Sequence, residues 1–130
     1  MSVYDDVLMA VLNMAQQTKP YANIVIGSMP PDKGIAMAYA NGALETYLNK
    51  AATITMTLAL NGKHNDQRTV LDALGKIHME LNTRKNYPAT DAYQITNIKT
   101  ISPPCYIGRD ENGQWLYGSS LEIQFFTRGV

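Results

Sequence analysis

The chain has 130 residues, of which 45% are hydrophobic and 17% charged, and it contains 11 Lys plus Arg and 11 Asp plus Glu. These values are typical of one globular domain with a buried core, so residues 1–130 are expected to fold as a single unit. Zero net charge argues against a protein that coats DNA, because binding to phosphates depends on clustered Lys and Arg.

The cysteine count and the apolar runs bear on the cellular compartment. Cys105 is the only cysteine in the sequence, so no internal disulfide can form, as in proteins of a reducing compartment. Polar residues interrupt the apolar runs within about ten residues, which is too short to span a hydrocarbon core of about 30 Å. The N-terminus lacks the basic start and apolar core of a signal peptide. We therefore expect a cytosolic protein without a membrane span.

Two segments have apolar residues at helical spacing. The first runs from Val3 to Thr18, with Ser2 and Asp5 in the form of a capping box and Lys19-Pro20 at its end. The second runs from Asp66 to Thr83. Its apolar stripe consists of Val70, Leu71, Leu74, Ile77 and Leu81. Such a stripe predicts that the helix covers one face of a sheet.

Four strands are predicted between the two helices. Three short ones cover Asn23 to Gly27, Ile35 to Ala40 and Leu44 to Leu48, with an exposed turn at "SMPPDKG" and a hairpin at Asn41-Gly42. In the fourth, from Thr53 to Leu60, apolar and smaller polar residues alternate, which predicts one buried face. The apolar row is Ile54, Met56, Leu58 and Leu60. We expect "NGKHND" to turn the chain from this strand into the second helix.

The C-terminal third predicts a hairpin. Tyr93 to Ile101 has the pattern of a strand that Pro103-Pro104 break, and Cys105 to Gly108 is expected to pair with Trp115 to Thr127. The loop between them has Asn112-Gly113 at its tip. The order of elements therefore predicts an α+β fold, a mostly antiparallel sheet packed against two helices with a C-terminal β-hairpin.

No residue pattern predicts catalysis, a cofactor or a metal. Ser28 and Ser119 lack the glycine spacing of a nucleophile elbow. His64 and His78 lack the short-spaced partners of a zinc site, apart from the helical neighbours of His78. Cys105 fits a half-buried apolar role better than that of a nucleophile. The alternative, an enzyme or a small-molecule-binding domain, would place Cys105 or His78 in a pocket with a convergent polar group.

Aromatic residues of the last third are candidates for contacts between subunits, since Tyr and Trp suit surfaces that are partly apolar and partly polar. Phe126 is predicted on the same strand face as Glu122 and Gln124, where the N-terminal helix or a neighbouring subunit would have to cover it. The candidate interface residues are Tyr87, Trp115, Tyr117, Phe126 and Arg128. The alternative is that they are ordinary strand residues with one solvated face.

Three segments, taken in order, carry a resemblance to a known family. They are "DKGIAMAYANGA", "ITMTLALNGKHNDQRTVLDALGKIHMEL" and "GRDENGQWLYGSSLEIQFFTRG". Their layout resembles that of the minor capsid or tail-terminator proteins of long-tailed, siphovirus-type bacteriophages and prophages. The matching motifs are Asp66-Gln67, the helix positions Leu74, Ile77 and Leu81, the hairpin tip Asn112-Gly113, and Phe125-Phe126 with Arg128.

The resemblance implies a structural virion protein. Proteins of this kind form rings, often hexamers, that cap the head-proximal end of the tail tube and stop its polymerisation. The resemblance therefore implies three partners: further copies of the chain, the tail-tube protein and the head-connector protein. It implies a location at the head-tail junction after assembly in the host cytoplasm, with no catalytic residue, no cofactor, no sequence-specific nucleic-acid binding and no membrane.

The expected contact surfaces are the aromatic C-terminal strand and the loop "RKNYPATDA". A ring requires two different surfaces on each copy that meet head to tail. Another neck component, such as a head-closure or connector adaptor, stays open as an alternative, because it shares the same environment and the same lack of chemistry.

Overall fold

Two helices and five strands make up the described part of the chain. A computed structural model describes residues 3–46, 52–84 and 86–127. The helices are α1 (Val3–Gln16) and α2 (Gln67–Thr83). The strands are β1 (Ile24–Ile26), β2 (Gly34–Thr46), β3 (Ala52–His64), β4 (Tyr93–Arg109) and β5 (Trp115–Thr127).

The strands form one sheet in the order β1-β2-β3-β5-β4. Strand β1 pairs with β2 in parallel, and the other neighbours pair antiparallel. The α+β class and the C-terminal hairpin β4-β5 are thereby confirmed, with a mixed sheet that is mostly antiparallel. Within the hairpin, Cys105 lies opposite Gly118 and Gly108 opposite Leu116, as predicted.

Both helices pack on the same face of the sheet. The predicted apolar row of β3 is buried, and it continues across the sheet into β5, where Met56 lies opposite Ile123 and Leu58 opposite Leu121. Helix α1 adds Val7 and Val11 to this core. Helix α2 adds Val70, Leu74, Ile77 and Leu81, all fully buried. Leu71 was wrongly placed in the buried stripe: it is 44% exposed, because one residue turns a helix by about 100° away from Val70.

Three predicted breaks are absent or shorter in the structure. Strand β2 continues through Asn41-Gly42, where the pairing with β3 shifts register between Tyr39 and Asn41, so this dipeptide accompanies a bulge and not a hairpin turn. The last two residues of the predicted strand Leu44 to Leu48 lie outside the described residues. Strand β3 continues to His64, which shortens the predicted turn "NGKHND" to its last two residues.

The third absent break is at Pro103-Pro104, where β4 continues to Arg109 with several register shifts against β5. Strand β4 lies at the edge of the sheet. An edge strand tolerates proline because one of its sides needs no backbone N–H donors.

The helix boundaries differ slightly from those expected. Helix α1 ends at Gln16, and Thr18 Oγ1 donates to Ala15 O at 2.7 Å just beyond it. Helix α2 begins one residue after Asp66, whose side chain caps it by accepting from Arg68 N at 3.1 Å. The predicted cap at Ser2 lies outside the described residues.

Candidate functional site

Among the residues whose burial the structure describes, the exposed large apolar ones fall into three groups in different parts of the fold. They are Ile26 and Tyr39 beside β1 and β2, Ile101, Tyr106 and Ile107 on β4, and Leu71 and Met79 on α2, with Met9 separate on α1. Exposed apolar side chains that cluster on a surface are typical of contact sites.

The first edge is β4. Its exposed apolar residues are Ile101, Tyr106 and Ile107, which are 50%, 54% and 60% exposed. Ile107 lies over Gly118 of β5: a Cβ at position 118 would come within 2.5 Å of Ile107 Cδ1. The register shifts and the two prolines interrupt the regular spacing of backbone groups along this edge. Side chains, more than a continuous backbone ladder, are therefore what this edge offers to a partner.

The loop end of the β4-β5 hairpin carries an aromatic cluster, the hairpin-end cluster, formed by Tyr106, Arg109, Trp115 and Tyr117. The Tyr106 ring centroid lies 5.7 Å from that of Trp115 and 6.0 Å from that of Tyr117. The Arg109 guanidinium carbon lies 4.4 Å from the centroid of the Trp115 ring, a cation–π contact. Tyr117 is buried, and its hydroxyl donates to Gln67 Oε1 at 3.1 Å, which ties the cluster to α2.

A polar network fixes the hairpin tip beside this cluster. Lys63 Nζ lies 3.3 Å from Asp110 Oδ2, and both side chains are largely buried. Backbone N–H groups of Gln114 and Asn112, together with Lys63, hold the pKa of Asp110 below its usual range. Gln114 Oε1 accepts from Lys33 N at 2.8 Å, so the tip is also joined to the loop that precedes β2. The hairpin-end cluster thus lies next to a loop that hydrogen bonds and an ion pair hold in place.

The far end of β5 carries the remaining described candidates. Phe126 is half-buried and lines a cavity of about 430 Å³ together with residues 90–94. Thr127 Oγ1 donates to Ala92 O at 2.8 Å, and Tyr87 Oη donates to Leu81 O at 2.7 Å. The loop of residues 86–92 between α2 and β4 is therefore held to both β5 and α2. Helix α1 does not cover Phe126, because Tyr4 contacts the ring of Phe125 on the opposite face. Arg128 lies outside the described residues.

The five predicted interface residues therefore do not form one site. Trp115 and Phe126 are eleven residues apart on one strand, which corresponds to about 36 Å. Tyr117 lies with Trp115, whereas Phe126 lies with the loop that follows Tyr87. The sequence did not indicate Ile101 and Ile107, and Tyr106 was expected only as one of the aromatic residues of the last third. Their signal was the proline pair, which marks an edge strand whose apolar residues remain exposed.

The second edge is formed by β1 and β2. Strand β1 pairs only with Ile35 to Met37, and from Ala38 to Thr46 no described strand lies along the outer side of β2. Ile26 and Tyr39 are 46% and 47% exposed here. The Tyr39 ring packs edge-on against Tyr4, with centroids 6.1 Å apart.

Of the residues considered for chemistry, His78 is buried, whereas Cys105 lies on the edge strand β4 and is not half-buried as predicted, because one side of an edge strand has no neighbour. His78 is buried on α2, its Nδ1 lies 2.7 Å from Thr100 Oγ1, and burial lowers its pKa. Cys105 is exposed, with Sγ 3.6 Å from Gly118 O. Among the described residues, no three His, Cys, Asp or Glu side chains are grouped so that they could hold a metal ion. Neither helix of the described chain has the length and apolar character needed to cross a membrane.

Comparisons of the sequence with protein families and with curated proteins found no relative: no protein-family model matches the sequence, and no curated protein matches it significantly. The placement of the exposed apolar residues is therefore the observation that bears most directly on function.

Proposed function

We propose that the chain is a structural virion protein of a tailed phage or prophage. It caps the head-proximal end of the tail tube, ends tube polymerisation and joins the tail to the head, acting as a ring of identical copies. The observation that supports this proposal best is the presence of two unlike apolar edges on one sheet. The layout of the sequence, which resembles that of tail-terminator proteins, is the second support.

Two unlike edges suit a ring because head-to-tail contacts use a different surface on each side of the subunit. Tyr106 and Ile107 belong to the β4 edge, and Ile26 and Tyr39 to the β1-β2 edge. Four strand spacings of about 4.8 Å separate the two edge strands by about 19 Å. One copy would therefore place its β4 edge against the β1-β2 edge of the next copy, and rotation about a common axis would close the ring.

The prolines and register shifts of β4 have a role in this arrangement. A regular open edge pairs with any other open edge and leads to fibres, whereas an interrupted edge limits such pairing. Side-chain contacts through Ile101, Tyr106 and Ile107 would hold neighbouring copies at a fixed rotation relative to each other. Such a rotation closes the copies into a ring, whereas continuous strand pairing would extend the sheet.

The strand ends remain free for other partners in such a ring. The hairpin-end cluster lies at one end of β5, and Phe126 with residues 90–94 lies at the other. These ends would meet the tail-tube protein and the head-connector protein. Both proteins are large assemblies with repeated surfaces, so several weak contacts per copy would add up to firm attachment.

A polymerisation assay tests the proposal. Purified tail-tube protein of the same phage is allowed to assemble with and without the chain, and the tubes are examined by electron microscopy. We expect added density at one end of each tube and no further growth from that end. Tubes that grow equally well with the chain present, and carry no added density, would overturn the tail-terminator role. Binding to the head connector without binding to tubes would instead identify a neck adaptor.

A further inference from the structure

The third group of exposed apolar residues lies on α2. Leu71 and Met79 are 44% and 65% exposed, and Gly75 lies midway between them on the same helix row. A Cβ at position 75 would meet no heavy atom within 4 Å. An open groove of about 1190 Å³ follows this row, with Pro103 and Pro104 on its far side. Here the apolar surface is long, narrow and open at its centre.

A row of charged residues runs beside the apolar row. Arg68, Asp72, Lys76 and Glu80 follow one another at intervals of four, and all four are exposed. Their signs alternate as plus, minus, plus, minus. Lys76 Nζ lies 3.2 Å from Asp72 Oδ2, so neighbouring members of the row already attract each other within one helix.

We propose that α2 binds α2 of a second copy of this chain, antiparallel and across a two-fold axis. Read in the opposite direction, the charged row is minus, plus, minus, plus. An antiparallel copy therefore places Arg68 against the second copy's Glu80, and Asp72 against the second copy's Lys76. The two-fold axis repeats each pair, which makes four pairs of opposite charge. A parallel copy related by a two-fold axis would place the two charged rows on opposite sides of the contact, where they do not meet, so charge complementarity favours the antiparallel arrangement.

The apolar row fits the same arrangement. With the axis near Gly75, Leu71 of one copy lies opposite Met79 of the other, and the two glycines meet at the crossing point. Glycine lets two helix backbones approach closely because it has no side chain. It is otherwise a poor residue for a helix interior, so its position at the centre of the exposed row is consistent with a close crossing. Helix α2, with 17 residues, offers a surface about 25 Å long.

This contact goes beyond the proposed ring. A two-fold contact uses the same surface on both copies and closes at two, whereas the ring uses the two sheet edges and closes at a larger number. The two contacts involve different residues, so each can be tested without the other. Exposed charges also make the two-fold contact sensitive to salt, because ions screen charges at the surface.

Sedimentation equilibrium of the purified chain, from micromolar to millimolar concentration and without tail-tube protein, tests the inference. The average mass is expected to rise from 14.4 kDa towards twice that value, and to rise less in high salt. A chain that stays at 14.4 kDa over the whole range would overturn the inference, and it would leave the ring proposal intact because tube protein is absent.

Two charge variants sharpen the test. Lys76→Glu opposes like charges at two of the four pairs and is expected to weaken dimerisation about tenfold or more. The double variant Asp72→Lys with Lys76→Glu restores opposite charges at all four pairs between the copies, and between positions 72 and 76 within each helix, so the dimer should return. Dimerisation that is unaffected by Lys76→Glu, or that the double variant fails to restore, would contradict the antiparallel arrangement.

A third variant tests the crossing point. Gly75→Gln fills open space in the single chain and favours the helix, so the fold is retained while the close approach of two helices is blocked. We expect loss of the dimer with unchanged or raised thermal stability. The control is Ile107→Glu on the β4 edge, which should leave the two-fold dimer unchanged; a dimer lost with Ile107→Glu and kept with Gly75→Gln would assign it to the sheet edge instead.

Discussion

Gly62 of β3 lies directly beneath Val70 of α2. A Cβ at position 62 would come within 3.1 Å of Val70 Cγ1 and 3.0 Å of the Tyr21 hydroxyl oxygen. That hydroxyl shares its one proton between Gly34 O at 2.8 Å and Lys63 O at 2.9 Å, and burial raises the pKa of Tyr21 to about 12. The absence of a side chain at Gly62 therefore sets the distance between the helix and the sheet.

Replacing this glycine is expected to separate the two layers. Gly62→Ala should lower the free energy of unfolding by about 1–3 kcal/mol, because the added methyl group displaces packed atoms of α2 and Tyr21. Denaturant unfolding followed by circular dichroism measures the change. The control is Gly108→Ala, where a Cβ meets nothing within 4 Å. Equal stabilities of the two variants would contradict the close packing at Gly62.

The cap of α2 gives a second prediction. Asp66 Oδ1 accepts from Arg68 N at 3.1 Å, and Oδ2 accepts from Thr69 Oγ1 at 3.2 Å. Asp66→Ala leaves the first turn without an acceptor and should cost about 1 kcal/mol of stability. Asp66→Asn keeps an acceptor and should cost much less. If both variants lost the same stability, charge and not capping would be the cause.

The buried histidine predicts a dependence of stability on pH. Burial lowers the pKa of His78 from its ordinary 6.5, so the unfolded chain binds a proton at a higher pH than the folded chain does. Stability from this residue is present above pH 6.5 and is lost as pH falls towards the lowered folded value, by at most about 1.4 kcal/mol per pH unit. His78→Gln should therefore flatten the dependence of the unfolding free energy on pH just below 6.5. If the unfolding free energy of the two proteins depended on pH with the same slope, the pKa of His78 would not be lowered in the folded chain.

The β4 edge gives a prediction about assembly. Ile107 is 60% exposed, so Ile107→Glu should fold normally and yet fail to join copies into a ring, because a charge replaces an apolar contact. The matched control is Met9→Glu, which changes an exposed apolar residue of α1 that belongs to neither edge. Assembly on tail-tube protein, measured by light scattering, should be lost in the first variant and kept in the second. Loss in both, or in neither, would count against the β4 edge as a contact.

Much of the fold follows from periodicity in the sequence. The alternation from Ile54 to Leu60 predicts which face of β3 is buried, and the helical spacing from Val70 to Leu81 predicts which side of α2 covers it. The points at which strands end were predicted less well. Pro103-Pro104 end a central strand but are tolerated in an edge strand, and position in the sheet depends on long-range pairing that no local pattern contains. For the same reason Asn41-Gly42 indicates a hairpin locally but accompanies a bulge in the paired strand.

The contact surfaces were predicted only in part. Aromatic content pointed to Tyr106, Trp115 and Tyr117, and the structure brings them together across the hairpin and adds Arg109. Aromatic residues are natural candidates for a contact surface because they are large, but composition does not show which of them α2 buries. Tyr117 is one that α2 buries. The aliphatic members of the two edges, such as Ile26 and Ile107, resemble core residues in sequence and differ from them only by their place in the sheet.

The mass of the chain in solution, measured by light scattering with and without purified tail-tube protein, tests the central proposal most directly. The proposal predicts a complex that contains several copies of the chain for each tube end, either because a ring exists beforehand or because it closes on the tube. A chain whose mass and elution are unchanged by tube protein at any ratio would contradict the tail-terminator role.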